Sequence, residues 1–141
     1  MRILSNLTAE DYDKMLEGTN LAGLGQAFER VENEIKINGL YMLGLACLES
    51  GYGTSSFAVK RNNLYGWQAY DSDPGKAKYF NSKEEATLFV AAKLRMNYLT
   101  EGGPYYEGVT PSSVDVHYCT DKTHAKKICQ IVSTLSQKID G

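Results

Sequence analysis

The sequence predicts a mainly α domain: a helical bundle around a buried central helix, with a small loop or hairpin lobe beside it. Three observations carry this. The stretch "LYMLGLACLE", residues 40–49, is apolar on every side. Leu40, Leu43, Gly44, Cys47 and Leu48 form one face at helical spacing, while Met42, Leu45 and Ala46 form another. A helix apolar all round has no face for water and belongs in the middle of a fold. The segments around it show helix starts followed by single apolar stripes. Residues 51–81, in contrast, carry turn signals throughout: Gly51, Gly53, Asn62-Asn63, Gly66 and "DSDPG" at 71–75.

Taken in order, Thr8 with Asp11 forms a capping box and opens a short helix that Gly18 closes. A second helix is expected from about Leu21 to Ile37, where Leu24, Phe28, Val31 and Ile35 keep the period, and Asn38-Gly39 ends it. The central helix follows. Residues 51–81 are expected to be a long loop with at most a hairpin near Trp67–Tyr79. Ser82 and Glu85 make another capping box, starting a helix to about Tyr98. After the loop "TEGGPYYEGVTP", Pro111 suits the first position of a short helix reaching Tyr118. Asp121 caps a final helix to Ile139, with Ile128, Ile131, Val132 and Leu135 as its buried stripe.

A chain of 141 residues makes one domain, here 1–141, with enough length for a core of its own. The formal charge of -2 offers no electrostatic reason to bind nucleic acid or an anionic membrane. No apolar stretch is long enough to span a bilayer, so no membrane insertion is expected. Three cysteines, Cys47, Cys119 and Cys129, form no disulfide framework. His117, Cys119, His124 and Cys129 lie close in sequence but match no common zinc spacing, so neither metal nor cofactor is expected. The expected state is a monomer.

Glu49 is the residue that invites chemistry. It shares a helix face with Met42, Leu45 and Ala46 and lies in the last turn. Apolar neighbours and the negative end of the helix dipole would both favour its protonated form. A glutamic acid still protonated near neutral pH is what a general acid for glycosidic cleavage must be. The plainer alternative is a terminal-turn glutamate facing solvent. Seven aromatic residues crowd 50–80: Tyr52, Phe57, Tyr65, Trp67, Tyr70, Tyr79 and Phe80. Aromatic planes suit the apolar faces of sugar rings, and Asn62 and Asn63 can bond hydroxyl and acetamido groups. Phe57 and Phe80 are expected in the core, with Tyr65, Trp67 and Tyr70 on a sugar-contacting rim.

"LGLACLESGYGTSSFA", "NNLYGWQAYDSDP" and "YFNSKEEA" resemble the bacterial and phage glucosaminidases that cut peptidoglycan, sharing the endo-β-N-acetylglucosaminidase domain, and most of all their short-lobed branch. "VHYCTDKTHAKKI" is similar to that family's tyrosine-threonine-aspartate motif. The likeness runs from about Ala27 to Ile128. It implies an α+β lysozyme-like fold with a groove between central helix and lobe, and peptidoglycan glycan strands as the partner. It places Glu49 at the catalytic-acid position and Tyr118 at a tyrosine lining the catalytic centre. Asn63, Tyr65 and Gly66 match the flanking loop, and His124 stands where a second tyrosine is frequent. The implied reaction is hydrolysis after N-acetylglucosamine.

A second carboxylate is not obvious. Asp71 and Asp73 are available, although "DSDPG" is also ordinary turn chemistry. The substrate's 2-acetamido group is the alternative nucleophile. Glu32 reads as structural. Competing functions are a lytic transglycosylase or muramidase on the same fold, or a non-catalytic wall-binding module. "NNLYGW" replaces the transglycosylase's glycine-leucine-methionine-glutamine motif, and intact Glu49 and Tyr118 argue against the binding module. The start "MRILSNLTAEDYD" lacks a signal-peptide h-region. The expectation is therefore a phage lysin, holin-released or virion-associated, or a module of a larger wall hydrolase.

Overall fold

The computed structural model describes residues 6–65, 80–96 and 124–140. Helix α1 (Ala9–Leu16) begins with the expected capping box: Asp11 N–H donates to Thr8 Oγ1 at 3.2 Å, and Thr8 N–H to Asp11 Oδ2 at 3.0 Å. Its buried side chains, Tyr12, Met15 and Leu16, follow the i, i+3, i+4 pattern.

The second helix departs from expectation. Residues 21–24 form turns instead, and α2 spans only Gly25–Arg30 before widening into a π-helical turn, Val31–Ile35, closed by left-handed Lys36. The cause is tertiary. Gly25 N–H is tied to Asp13 Oδ1 at 2.7 Å, which sets where the helix starts. The wide turn lies beside a buried carboxylate. Glu32, 3% exposed, accepts from Tyr12 Oη at 3.2 Å, Gly39 N–H at 2.9 Å and Asn6 N–H at 3.1 Å. Gly39 opens the next helix, so this carboxylate meets the positive end of the helix dipole. Glu32 is structural.

Helix α3 (Gly39–Ser50) is the central one, N-capped by Asn38 Oδ1 on Tyr41 N–H at 3.1 Å. Every residue from Tyr41 to Cys47 is buried. Helix α4 (Ser56–Arg61) falls where a loop was expected. Ser55 holds its start, accepting from Ala58 N–H through Oγ and from Val59 N–H through its carbonyl. A helix of under two turns gives no readable period.

Helix α5 (Lys83–Leu94) starts at the expected cap, with Glu85 N–H on Ser82 Oγ at 3.0 Å. Phe80, before it, is buried in edge contact with Phe89 at 5.4 Å, as expected of a core ring. Helix α6 (His124–Asp140) packs on α3 and α1. Gly44 permits the close approach: a Cβ there would stand 2.8 Å from Ile128 Cγ2 and 2.9 Å from Val132 Cγ2. No strand occurs among the described residues, and none of their helices is long and apolar enough to cross a membrane. The expected hairpin near Trp67–Tyr79, the helix after Pro111 and the Asp121 cap lie outside the described residues.

Candidate active site

Glu49 occupies the penultimate position of α3, where the buried helix reaches the surface. The chain then turns sharply. Gly51, Tyr52 and Gly53 all take positive φ, at 57°, 57° and 88°. Glycine reaches this region freely, whereas Tyr52 holds it at a steric cost. The turn is over-determined by hydrogen bonds. Gly51 and Tyr52 N–H both end on the Cys47 carbonyl, and Ser50 Oγ donates to the Ala46 carbonyl and accepts from Gly53 N–H at 2.9 Å. This fixes where the helix stops, and so where Glu49 emerges.

The environment of Glu49 differs from the expected apolar collar. Met42, Leu45 and Ala46 are fully buried, but the Glu49 side chain is 29% exposed. Its Oε1 lies 2.7 Å from His124 Nε2. The His124 side chain is itself only 4% exposed, and His124 begins α6. The pairing follows from the helix packing. Ile128 and Val132 lie against Gly44, and α6 runs opposite to α3 along this contact. Five residues forward from Gly44 and four back from Ile128 climb comparable distances, roughly 7.5 and 6 Å at 1.5 Å per residue, bringing Glu49 level with His124.

The loop residues divide differently from expectation. Tyr65 is not on a rim: it is 2% exposed, with its hydroxyl within hydrogen-bond reach of the Met42 carbonyl at 3.3 Å and Thr87 Oγ1 at 3.2 Å. Burial raises the pKa of its phenol, so it stays neutral. Asn63 is 1% exposed, buried where an exposed sugar contact was expected. Asn62 is also structural, donating from Nδ2 to the Phe80 carbonyl at 3.0 Å and accepting from Lys83 Nζ at 3.4 Å. Asn62 thus ties this segment to the start of α5, and Tyr65 reaches Thr87 within the same helix. Gly66, Trp67, Tyr70, Asp71, Asp73 and Tyr118 lie outside the described residues. Cys47 is no nucleophile, since burial pushes its thiol up to about 12. Among the described residues, no three His, Cys, Asp or Glu side chains stand together as a metal site.

The profile of the family described as glucosaminidase, mannosyl-glycoprotein endo-beta-N-acetylglucosaminidase, matches residues 25–137. The chain belongs to this glucosaminidase family. A Streptococcus pneumoniae protein, "Putative endo-beta-N-acetylglucosaminidase", is 31% identical over 143 aligned positions, covering 97% of this chain and 22% of that protein. The chain thus spans about a fifth of the length of such relatives. The structure of Staphylococcus aureus autolysin E with a muropeptide superposes with a TM-score of 0.77 at 19% identity, over 99% of this chain and 71% of that one. A catalytic mutant of the same autolysin with the disaccharide NAG-NAM gives 0.76 at 18%, with the same coverages. These neighbours show the fold, that of autolysin glucosaminidase domains. In this chain of the glucosaminidase family, the buried central helix and the emergent Glu49 are the parts that sequence alone locates. The sequence offers His124 as a metal-ligand candidate without a zinc spacing and as standing in a tyrosine's place. An imidazole just after "YCTD" was the available signal, but nothing local pointed it at Glu49.

Proposed function

We propose that this domain hydrolyses the glycan strand of peptidoglycan after N-acetylglucosamine, with Glu49 as general acid. The observation that carries the reading is a carboxyl group at the solvent end of a rigid buried helix, in a chain of the glucosaminidase family. Such a group can give its proton to the glycosidic oxygen as the bond breaks. The turn at Gly51–Gly53 and the bond to His124 limit where it can do so. The autolysin neighbour, in complexes with a muropeptide and with NAG-NAM, supports the substrate class.

The remaining roles belong to the same proposal. Tyr118 places the reacting sugar or the attacking water through its hydroxyl. Gly66, Trp67 and Tyr70 line the path of the glycan. Asp71 or Asp73 supplies a second carboxylate, or the substrate's own acetamido group takes that part. The domain acts at the cell wall as a monomer.

The test is to digest purified peptidoglycan, reduce the products with borohydride and sequence them by mass spectrometry. Hydrolysis at the proposed bond leaves a reduced N-acetylglucosamine. A reduced N-acetylmuramic acid would mean a muramidase, and an anhydro product, lighter by one water, a transglycosylase. Binding without any new ends would overturn the catalytic reading.

A further inference from the structure

We propose that His124 is a positioning residue for the acid. Its Nε2–H donates to Glu49 Oε1, holding the carboxyl proton on Oε2 and leaving a donor for the carboxylate formed after transfer. This rests on the reading of Glu49 as general acid.

The two partners differ in freedom. Glu49 is a long side chain at a helix end, 29% exposed, and without a restraint it samples several rotamers and carries its proton on either oxygen. His124 is almost fully buried, and its place is set by α6 packing on α3 through Gly44. At 2.7 Å, Nε2 and Oε1 are at full hydrogen-bond contact. The mobile group is therefore held by the immobile one.

The direction of donation decides the chemistry. With Oε1 accepting, the acid's proton sits on Oε2, the oxygen that His124 does not contact. As the glycosidic bond breaks, that proton passes from Oε2 to the leaving oxygen and negative charge develops on the carboxylate. The same N–H···O contact then becomes charge-assisted and about twice as strong. A contact stronger in the transition state than in the ground state raises turnover rather than substrate binding. His124 keeps its own proton throughout.

Two amides separate this role from a structural one. His124→Gln puts an amide nitrogen close to where Nε2 stood, whereas His124→Asn puts it close to the position of Nδ1, short of Glu49. Both keep a polar group in the nearly buried site. With defined glycan fragments, His124→Asn is expected to lower kcat about 10- to 100-fold with KM within about twofold. His124→Gln should stay within about threefold of the wild type. The proposal is overturned if His124→Asn keeps full kcat, if its loss lies in KM, or if both amides fall equally. A long-range 1H–15N spectrum of the unmutated protein tests it independently of how the variants fold. A proton on Nε2 agrees with the proposal, and a neutral ring protonated only on Nδ1 refutes it. Glu49→Gln is the control. If it retains turnover, the general-acid reading falls and His124's role with it. If it is inactive while His124→Asn runs at full rate, only the role of His124 falls.

Discussion

Gly44→Ala adds one methyl group at the contact that sets the height of His124 against Glu49. The new Cβ would stand 2.8 Å from Ile128 Cγ2, 2.9 Å from Val132 Cγ2 and 3.2 Å from the Ile128 carbonyl oxygen. Ordinary contact begins at 3.4 Å, so the nearest methyl must retreat by about 0.6 Å. Ile and Val have little χ1 freedom in a helix, and the third contact is backbone, so α6 itself must move. Overpacking of this kind costs about 1–3 kcal/mol. Replacing a mid-helix glycine by alanine returns about 0.5–1 kcal/mol. The expected net effect is a destabilisation of about 1–2 kcal/mol. The same displacement draws Nε2 away from Oε1, and turnover should fall by about tenfold. Urea unfolding gives the first quantity, and kcat on glycan fragments, measured where the variant is fully folded, gives the second. An alanine variant at least as stable as the wild type and equally active would refute the packing argument.

Glu49→Gln preserves size and a hydrogen bond to His124 but cannot supply a proton. Wall clearing should drop by about 10²–10⁴-fold with the melting temperature nearly unchanged, and a folded, active variant sinks the assignment. Glu32→Ala strands the buried Gly39 N–H and removes an acceptor of the Tyr12 hydroxyl, so denaturant unfolding should show a loss of about 3–5 kcal/mol. A loss under about 1 kcal/mol would mean that water replaces the carboxylate. Tyr65→Phe removes a buried hydroxyl and should cost about 1–2 kcal/mol without altering affinity for wall fragments; weakened binding at unchanged stability would return Tyr65 to the rim. Cys47, buried with its thiol raised to about 12, should resist alkylation at pH 8 in the folded protein while exposed Cys129 reacts, as read by peptide mapping. Modification of Cys47 as fast as of Cys129 would contradict its burial.

What the sequence determined by itself was local. The Thr8–Asp11 box, the Ser82 cap, the stripe of α6 and the all-apolar run of α3 each rest on residues three or four apart, which meet wherever a helix forms. Glu49 was legible for the same reason, as a charge at the end of an apolar helix. The tertiary structure decided the rest. The widening at Val31–Ile35 goes with a carboxylate serving Tyr12, Gly39 and Asn6, which no local pattern announces. Helix α4 is too short to show a period. Asn63 and Tyr65 looked like sugar contacts because amides and phenols suit both a rim and a satisfied core, and only burial separates the two. The partner of Glu49 lies 75 residues away, brought level by the missing side chain of Gly44. Spacing along one helix cannot encode that distance; it is fixed only when two helices touch.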